Sequence, residues 1–480
     1  MSFAPVSGVA LFAHWVLVLL FSLRVMRRRA PVGVSLAWLL IIFVAPFVGV
    51  LLYVLFGEKR FSRRRLRQLA EYAPNIAEWQ LALKRRYGAA KSENRRTVLI
   101  ERLAEGAQGR PKLSGNHLTL LTDADSIFDA MVADIDAATT NCDAEFYIWD
   151  ESGRTADVVD ALVRATDRGV RCRALADSLG SKKFLRGPLA KKLRAAGVPM
   201  REALPAGLRE ALYSRTDLRN HRKVLVIDGR VAYTGSQNLA DPRFFDRKGG
   251  FGEWVDAMAR VTGPAALAIS GVFELDWALE SGDAPILAED DEATEERGTA
   301  DVQVVPSGPD VRLGTIDQLF LSAIYSAERE LIITTPYFVP DDALLEALVA
   351  AAARGVETTL IVPARNNSRM VRYASSAHYD DLLSAGVRIA HFNGGLLHTK
   401  SLTVDEAFSI FGSANLDIRS LWLNLEISLF VYDRRFTTDL RALQRRYLES
   451  SLMIRLEEWR KRPSRVRWAE DVFRLLSPLL

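Results

Sequence analysis

The stretch His221-Arg222-Lys223-Val224-Leu225-Val226-Ile227-Asp228-Gly229-Arg230-Val231-Ala232-Tyr233-Thr234-Gly235-Ser236-Gln237-Asn238 decides the fold, because the chain contains it twice. From His398-Thr399-Lys400, four residues lead to Asp405 and six more to Gly412-Ser413-Ala414-Asn415, the same spacing as in the first copy. The whole chain has six histidines, so chance repetition of this pattern is negligible. Val224–Ile227 and Val231–Thr234 are β-rich, and Asp228-Gly229 between them is a strong hairpin dipeptide. A two-residue turn there sets Ile227 opposite Arg230, Lys223 opposite Thr234 and His221 opposite Ser236. Residues i and i+2 share a strand face, so His221 and Lys223 project together, as do His398, opposite Ser413, and Lys400. Each copy then presents an imidazole, an ammonium and a hydroxyl in one patch, with Asn238 or Asn415 just beyond. Asp228 and Asp405 fall on the opposite face, about 17 Å from the lysine at ~3.3 Å per residue, and read as turn or support residues.

Outward from these stretches the duplication continues. Strand-like Ala144–Trp149, helical Ala156–Arg168 and strand-like Val170–Ala176 return as Leu331–Val339, Asp341–Arg354 and Val356–Val362. Arg168-Gly169-Val170 recurs as Arg354-Gly355-Val356, and Ala196-Gly197-Val198 as Ala385-Gly386-Val387, each a helix-ending glycine before a strand-starting valine. The βαβ rhythm implies an α/β fold. The expected organisation is a two-helix anchor over 1–60, a polar connector over 61–110, a first repeat over 111–280, an acidic linker over 281–301, a second repeat over 302–450 and a basic, aromatic segment over 451–480.

The N-terminal end is apolar from Val6 to Leu23 except for Ser7, His14 and Ser22, and again without charge from Val34 to Phe56. Each run approaches the ~20 residues that cross a ~30 Å hydrocarbon layer, which predicts two transmembrane helices. Arg24, Arg27, Arg28 and Arg29 lie between them with Pro31 and Gly33 at the turn; Lys59, Arg60, Arg63, Arg64, Arg65 and Arg67 follow the second. A cleaved signal would need cations before the run and small residues after it, the reverse of what stands here. The larger basic cluster and the lack of disulfide chemistry favour a cytoplasmic body. His14 reads as a satisfied histidine.

Lys+Arg 63 against Asp+Glu 59 gives a formal net charge of +4, too slight a surplus to argue for a nucleic-acid partner. Two cysteines, Cys142 and Cys172, exclude a disulfide scaffold and a cysteine-rich zinc site and read as buried thiols. No carboxylate or His/Cys cluster suggests a metal or cofactor. His117, His378 and His391 read as surface or packing residues, and Lys182, Lys183 and Arg186 as a solvated face.

The paired signature resembles the HKD motif of the phospholipase D superfamily, which needs two copies meeting at one site. The resemblance narrows further. The N-terminal apolar pair, Ala-Trp-Leu-Leu at 37–40, Thr-Pro-Tyr-Phe-Val-Pro at 335–340, Gly-Gly-Leu-Leu-His-Thr-Lys at 394–400 and Leu-Asp-Ile-Arg-Ser-Leu-Trp-Leu-Asn at 416–424 are similar to the bacterial cardiolipin synthases of that superfamily. It implies two α/β sandwich repeats sharing one active site behind two transmembrane helices in the bacterial inner membrane. The implied catalytic set is His221, Lys223 and Asp228 with His398, Lys400 and Asp405. His221 would be the nucleophile and His398 the acid and base. Ser236, Asn238, Ser413 and Asn415 would help the lysines hold the phosphoryl oxygens. Asp256, in Trp254-Val255-Asp256, and Glu426, in Asn424-Leu425-Glu426, match the carboxylates that orient the histidines, or are ordinary strand-edge acids. The implied reaction joins two phosphatidylglycerols into cardiolipin and glycerol, with hydrolysis or transfer to another alcohol as the alternative. The C-terminal Trp459, Arg460, Lys461, Arg462, Arg465, Arg467, Trp468 and Phe473 read as an interfacial segment or a packed terminal helix.

Overall fold

The structure, a computed structural model, describes residues 4–28, 32–57, 61–90, 92, 95–207, 215, 217–246, 249–288, 298–311 and 314–475. Arg29, Pro31, Lys59, Arg60 and the centre of the acidic linker lie outside these residues. The chain divides into two compact units, Met1–Leu66 with Ala206–Leu218 and Arg67–Pro205 with Arg219–Leu480.

In the first unit the leading apolar run forms one helix, Ala4–Arg27, with Arg24 and Arg27 in its last turn. The second run departs from expectation, because it forms two helices, Val32–Val44 and Pro46–Phe56. Pro46 has no N–H to continue the ladder, and its ring drives Ala45 out of helical geometry to φ −139°, ψ 71°. Val18, Val25, Ile42 and Tyr53 are buried between these helices, with the Trp38 ring edge-on to Tyr53 at 5.3 Å. Among the described residues no helix is long and apolar enough to cross a membrane. The two expected transmembrane helices are therefore not displayed as such.

In the second unit, fifteen strands of the described residues form one mixed sheet. Its first half runs Leu113–Leu121, Met258–Thr262, Val231–Gly235, Lys223–Ile227, Asn141–Phe146, Arg171–Asp177, Met200–Ala203. The other half repeats that order as Ala300–Ser307, Glu426–Val431, Phe408–Gly412, Ser401–Val404, Glu330–Thr334, Glu357–Pro363, Arg388–Phe392, and adds Ser451–Met453 at its edge. The halves join where Leu113–Leu121 pairs antiparallel with Ala300–Ser307. The βαβ pieces are the parallel part of each half. Their helices, Thr155–Asp167 and Asp342–Ala353, stop at the two matching glycines, Gly169 and Gly355, at φ +88° and +85°. There Val170 N–H reaches back to Ala165 and Val356 N–H to Ala351, the closing bond of a Schellman end.

One core crosses the seam. Helices Pro264–Ser281 and Arg434–Glu449 supply Leu267, Ile269, Phe273, Leu440 and Leu443 to a cluster that also holds Val226, Val261, Val304 and Leu429, from strands of both halves. The opposite face carries separate clusters, one for each repeat. Cys142 and Cys172 are free and buried in the first of these.

The hairpins correct the expected register by one residue. Val224 pairs with Thr234 and Ile227 with Val231; Ser401 pairs with Phe411 and Val404 with Phe408. Each turn therefore has three residues, Asp228-Gly229-Arg230 and Asp405-Glu406-Ala407. Asp228 and Gly229 are left-handed at φ 53° and 63°, and Asp405 and Glu406 at 50° and 57°. The carboxylates offset this strain. Asp228 accepts from the backbone N–H of Thr139, Thr140 and Asn141 at 2.9, 2.7 and 2.9 Å, and from both threonine hydroxyls at 2.8 Å. Asp405 accepts from the N–H of Glu328, Arg329 and Glu330 at 2.8, 2.8 and 2.9 Å. Each aspartate thus ties its hairpin to the strand beside it. Asp228→Ala should lower stability by about 2 kcal/mol, and Asp405→Ala by slightly less. Urea midpoints at unchanged slope check this, and a midpoint left in place would refute the supporting role.

Candidate active site

Both signatures lie where a chain segment joins its hairpin, and both segments run alongside the other repeat. Asn220 bridges in parallel to Leu425. His221 N–H donates to Leu425 O at 2.9 Å, and Leu425 N–H to Arg219 O at 2.9 Å. In the second copy Leu396–Leu397 pairs in parallel with Trp254–Val255, and His398 N–H donates to Val255 O at 2.8 Å. The residues after Leu425 and Val255 are Glu426 and Asp256. The backbone pairing therefore brings each histidine to the carboxylate of the opposite repeat. His221 Nδ1 lies 2.9 and 3.0 Å from the two Glu426 oxygens, and His398 Nδ1 lies 2.6 Å from Asp256 Oδ1.

The two signatures occupy one electrostatic neighbourhood. Burial pushes the His221 imidazole down to about 4; Glu426 opposes this, and Lys223 and Lys400 add to it. Burial pushes His398 down to about 3, opposed by Asp256 and reinforced by Lys400 and Lys223. Each histidine thus feels the lysine of the other copy. Burial lowers Lys223 to about 8 against the pull of Glu426 and Asp256. It lowers Lys400 further, with Lys223 contributing. Burial would raise the carboxyls, but His398 and Lys400 hold Asp256 below its ordinary value, and His221 and Lys223 do the same for Glu426. At neutral pH the carboxylates are charged and accept, so each imidazole is neutral, donates from Nδ1 and keeps its Nε2 lone pair free. Lys223 Nζ donates to His221 O and Lys400 Nζ to His398 O, both at 2.6 Å.

The family described as "Cardiolipin synthase, PLD-like domain" matches residues 131–249 and 320–447. Cardiolipin synthase A of Yersinia pseudotuberculosis serotype IB (strain PB1/+) is 42% identical over 483 residues, covering 100% of this chain and 99% of that protein. This chain belongs to the cardiolipin synthases of the phospholipase D superfamily. Cardiolipin synthase A of Yersinia pestis matches with the same identity and coverage. Residues 15–58 match the family described as "Phospholipase_D-nuclease N-terminal". The crystal structure of a phosphatidylserine synthase from Haemophilus influenzae Rd KW20 shares the fold, with a TM-score of 0.60 at 14% identity, covering 80% of this chain and all of that one.

The serines and asparagines of the signatures each make hydrogen bonds within the protein. Ser236 Oγ accepts from Ala257 N–H at 3.0 Å and donates to Ala257 O at 3.3 Å. Ser413 does the same at Ile427, at 2.9 and 3.3 Å. Both hydroxyls also help to hold the carboxyls of Asp256 and Glu426 below their ordinary values. In this cardiolipin synthase family member they brace the residues that hold the histidines. Asn238 Oδ1 accepts from Ile148 N–H at 3.1 Å, and Asn415 Nδ2 donates to Ser420 Oγ at 3.0 Å.

Several contributors carry no signal in the spacing. The Tyr147 ring lies 4.8 Å from His221, and the Trp254 ring 4.4 Å from His398, walling the imidazoles from water. Arg222, between His221 and Lys223 on the opposite strand face, is 1% exposed. It pairs with Asp276, and its Nε donates to Glu426 O at 3.0 Å. In the second copy Thr399 takes that position and donates to Val255 O at 3.3 Å. The middle residue of each signature therefore grips the backbone beside the opposing carboxylate. A charged residue inside a β-rich run was the one available clue to Arg222.

Removing a carboxylate should misorient the imidazole across the seam. Glu426→Gln and Asp256→Asn should each lower kcat by roughly 10²-fold or more with little change in KM. Because Glu426 raises the His221 pKa, Glu426→Gln should depress it further, as nitrogen-shift titration by NMR would read. A rise would contradict the crossed pairing.

Proposed function

We propose that the protein moves a phosphatidyl group from one phosphatidylglycerol to another through a phosphohistidine on His221. The observation that carries this reading is the crossed anchoring of His221 by Glu426 and His398 by Asp256, which gives two buried imidazoles the same tautomer in a site with two lysines. His221 Nε2 attacks phosphorus, the P–O bond to the headgroup glycerol breaks, and His398 protonates the departing oxygen. His398, now neutral, takes the proton of a terminal hydroxyl on the second phosphatidylglycerol. That oxygen attacks phosphorus, the N–P bond breaks, and cardiolipin leaves with His398 protonated again. Lys223 and Lys400 hold the phosphoryl oxygens through the charge that develops, with Asn238 and Asn415 beside them.

The low basicity of the free imidazoles agrees with this division of labour. A neutral His221 is a ready nucleophile. The anionic phosphodiester supplies the missing negative charge, raising His398 toward protonation and the lysines toward full charge when substrate arrives. Asp228 and Asp405 support the hairpins and do no chemistry.

The membrane supports the same reading, since reactants and product are bilayer lipids. We read the apolar helices of the first unit as a bilayer anchor. Phe12, Leu19, Leu20, Leu36, Leu40, Phe43 and Leu51 expose large apolar side chains there, and basic residues beside them attract anionic headgroups at about 1 kcal/mol each. The inner membrane of a bacterium is the expected location.

Phosphatidylglycerol alone should give cardiolipin and glycerol in equal amounts. Phosphatidic acid as the sole product would make the protein a hydrolase. His221→Ala and His398→Ala should each abolish turnover; full activity in both would overturn the assignment. In kcat/KM, activity should fall as pH rises through about 8, where Lys223 loses its charge in the free enzyme. A profile flat to pH 10 would remove Lys223 from phosphate binding.

A further inference from the structure

A second basic site lies apart from the histidines, beneath the C-terminal helix Ser464–Leu475. A cavity of about 370 Å³ opens between that helix and the helix Arg369–Ser376, lined by Arg365, Arg372, Arg462, His391 and the aromatic rings of Tyr373 and Trp459. The two helices are held together by Phe473, stacked on Tyr373 at 5.4 Å and 8°. Glu470, a buried acid in the lining, is paired with Arg462 at 2.8 Å. The Arg462 guanidinium also lies 3.7 Å over the Trp459 ring, so it is fixed in place.

Arg365 and Arg372 are different. Both are exposed, and among the described residues neither has an acidic partner. Among the described residues Arg365 donates only to Gly250 O, at 3.2 Å. His391 is sandwiched near Tyr379 and Trp459 without a hydrogen bond to any described residue. The cavity thus gathers three guanidiniums against one carboxylate, with donors free to receive an anion. One wall leads toward the carboxylates of the reaction site. Pro336 lines it and accepts from Asn366 at 2.9 Å. The next residue, Tyr337, hydrogen-bonds Asn367 at 2.9 Å, and its phenol feels the charges of Asp256 and Asp417.

The rim of the cavity carries exposed apolar and basic side chains. The inward face of the C-terminal helix uses Val466, Glu470 and Phe473. Its outer face shows Trp468 and Leu475 at 70% and 77% exposure, among Arg465, Arg467 and Arg474. Met370, on the facing helix, is 41% exposed. The segment packs as a terminal helix and turns apolar and basic side chains outward.

We propose that this cavity binds the phosphodiester headgroup of an anionic glycerophospholipid, separately from the lipid undergoing transfer. Arg365 and Arg372 would close on the phosphate by charge-assisted hydrogen bonds, and the acyl chains would run out past Met370 and Trp468. The proposal rests on the reading of the protein as an enzyme of membrane phospholipids. A bound lipid here would hold the second repeat against the bilayer next to the reacting histidines.

The test uses the full chain in neutral detergent with phosphatidylglycerol carrying a photoreactive group on the acyl chain close to the glycerol. Peptides from 365–379 and 459–475 should be labelled. Labelling there should fall ~10-fold in Arg365→Ala/Arg372→Ala and return in Arg365→Lys/Arg372→Lys, which restores the charge. Unlabelled phosphatidylglycerol should compete, while phosphatidylcholine and inorganic phosphate at equal concentration should not. Labelling unchanged in the alanine variant, or absent from these peptides in the parent, overturns the proposal. Equal competition by inorganic phosphate overturns it too and makes this a free-phosphate site. Cardiolipin formation by the same samples is read separately. A parent that labels at the cavity yet makes no cardiolipin keeps the headgroup site and refutes the transferase reading instead.

Discussion

The structure turns on two buried hydrogen bonds that cross from one repeat to the other, His221 to Glu426 and His398 to Asp256. A carboxylate with almost no exposure is costly to ionise unless a donor meets it, and an imidazole with no fixed donor has no fixed tautomer. Neither repeat satisfies its own group. Half of the molecule would hold an unpaired acid and an unanchored base, so the duplication yields one site rather than two. The backbone makes the crossing obligatory, since the short parallel pairings Asn220 with Leu425 and Leu396–Leu397 with Trp254–Val255 carry each carboxylate past the opposite histidine.

Around these pairs the protein holds more positive charge than it can comfortably keep dry. Lys223 and Lys400 are 0% and 3% exposed, and each lowers the basicity of the histidine in the other copy. Two cations so close together and so dry are an electrostatic strain. In the reaction we propose, an anionic phosphodiester relieves it, and the gain is largest when charge on the phosphoryl oxygens is greatest, which is the requirement for stabilising a transition state rather than a substrate. Arg222 and Thr399 show how finely the shell is shared. Equivalent in register and different in chemistry, both grip the backbone next to the opposing carboxylate.

Much of the site was readable in the residues themselves. The duplicated spacing, the shared face of His221 with Lys223 and His398 with Lys400, and the supporting place of Asp228 and Asp405 follow from strand alternation. The turn length did not follow. Asp228-Gly229 is a dipeptide that two-residue and three-residue turns both accept, and the extra residue is selected by the Asp228 carboxylate binding three consecutive N–H groups of a strand start 87 to 89 residues earlier. Pro46 breaks the second apolar run, and hydropathy does not register this, because it counts apolar residues and not missing donors. Ser236 and Ser413 hold the backbone beside Asp256 and Glu426, contacts that no spacing in the sequence encodes.

The sequence by itself determined that there are two copies of one α/β module, which side chains could do phosphoryl chemistry, and that the chain carries long apolar runs at its start. Those properties are periodic and local, so composition and spacing contain them. Only the tertiary structure decided that each histidine belongs to the other repeat's carboxylate, that Arg222 is buried at the seam, and that Arg365, Arg372 and Arg462 gather in one cavity. These depend on contacts between residues 90 to more than 200 positions apart, which no local pattern encodes.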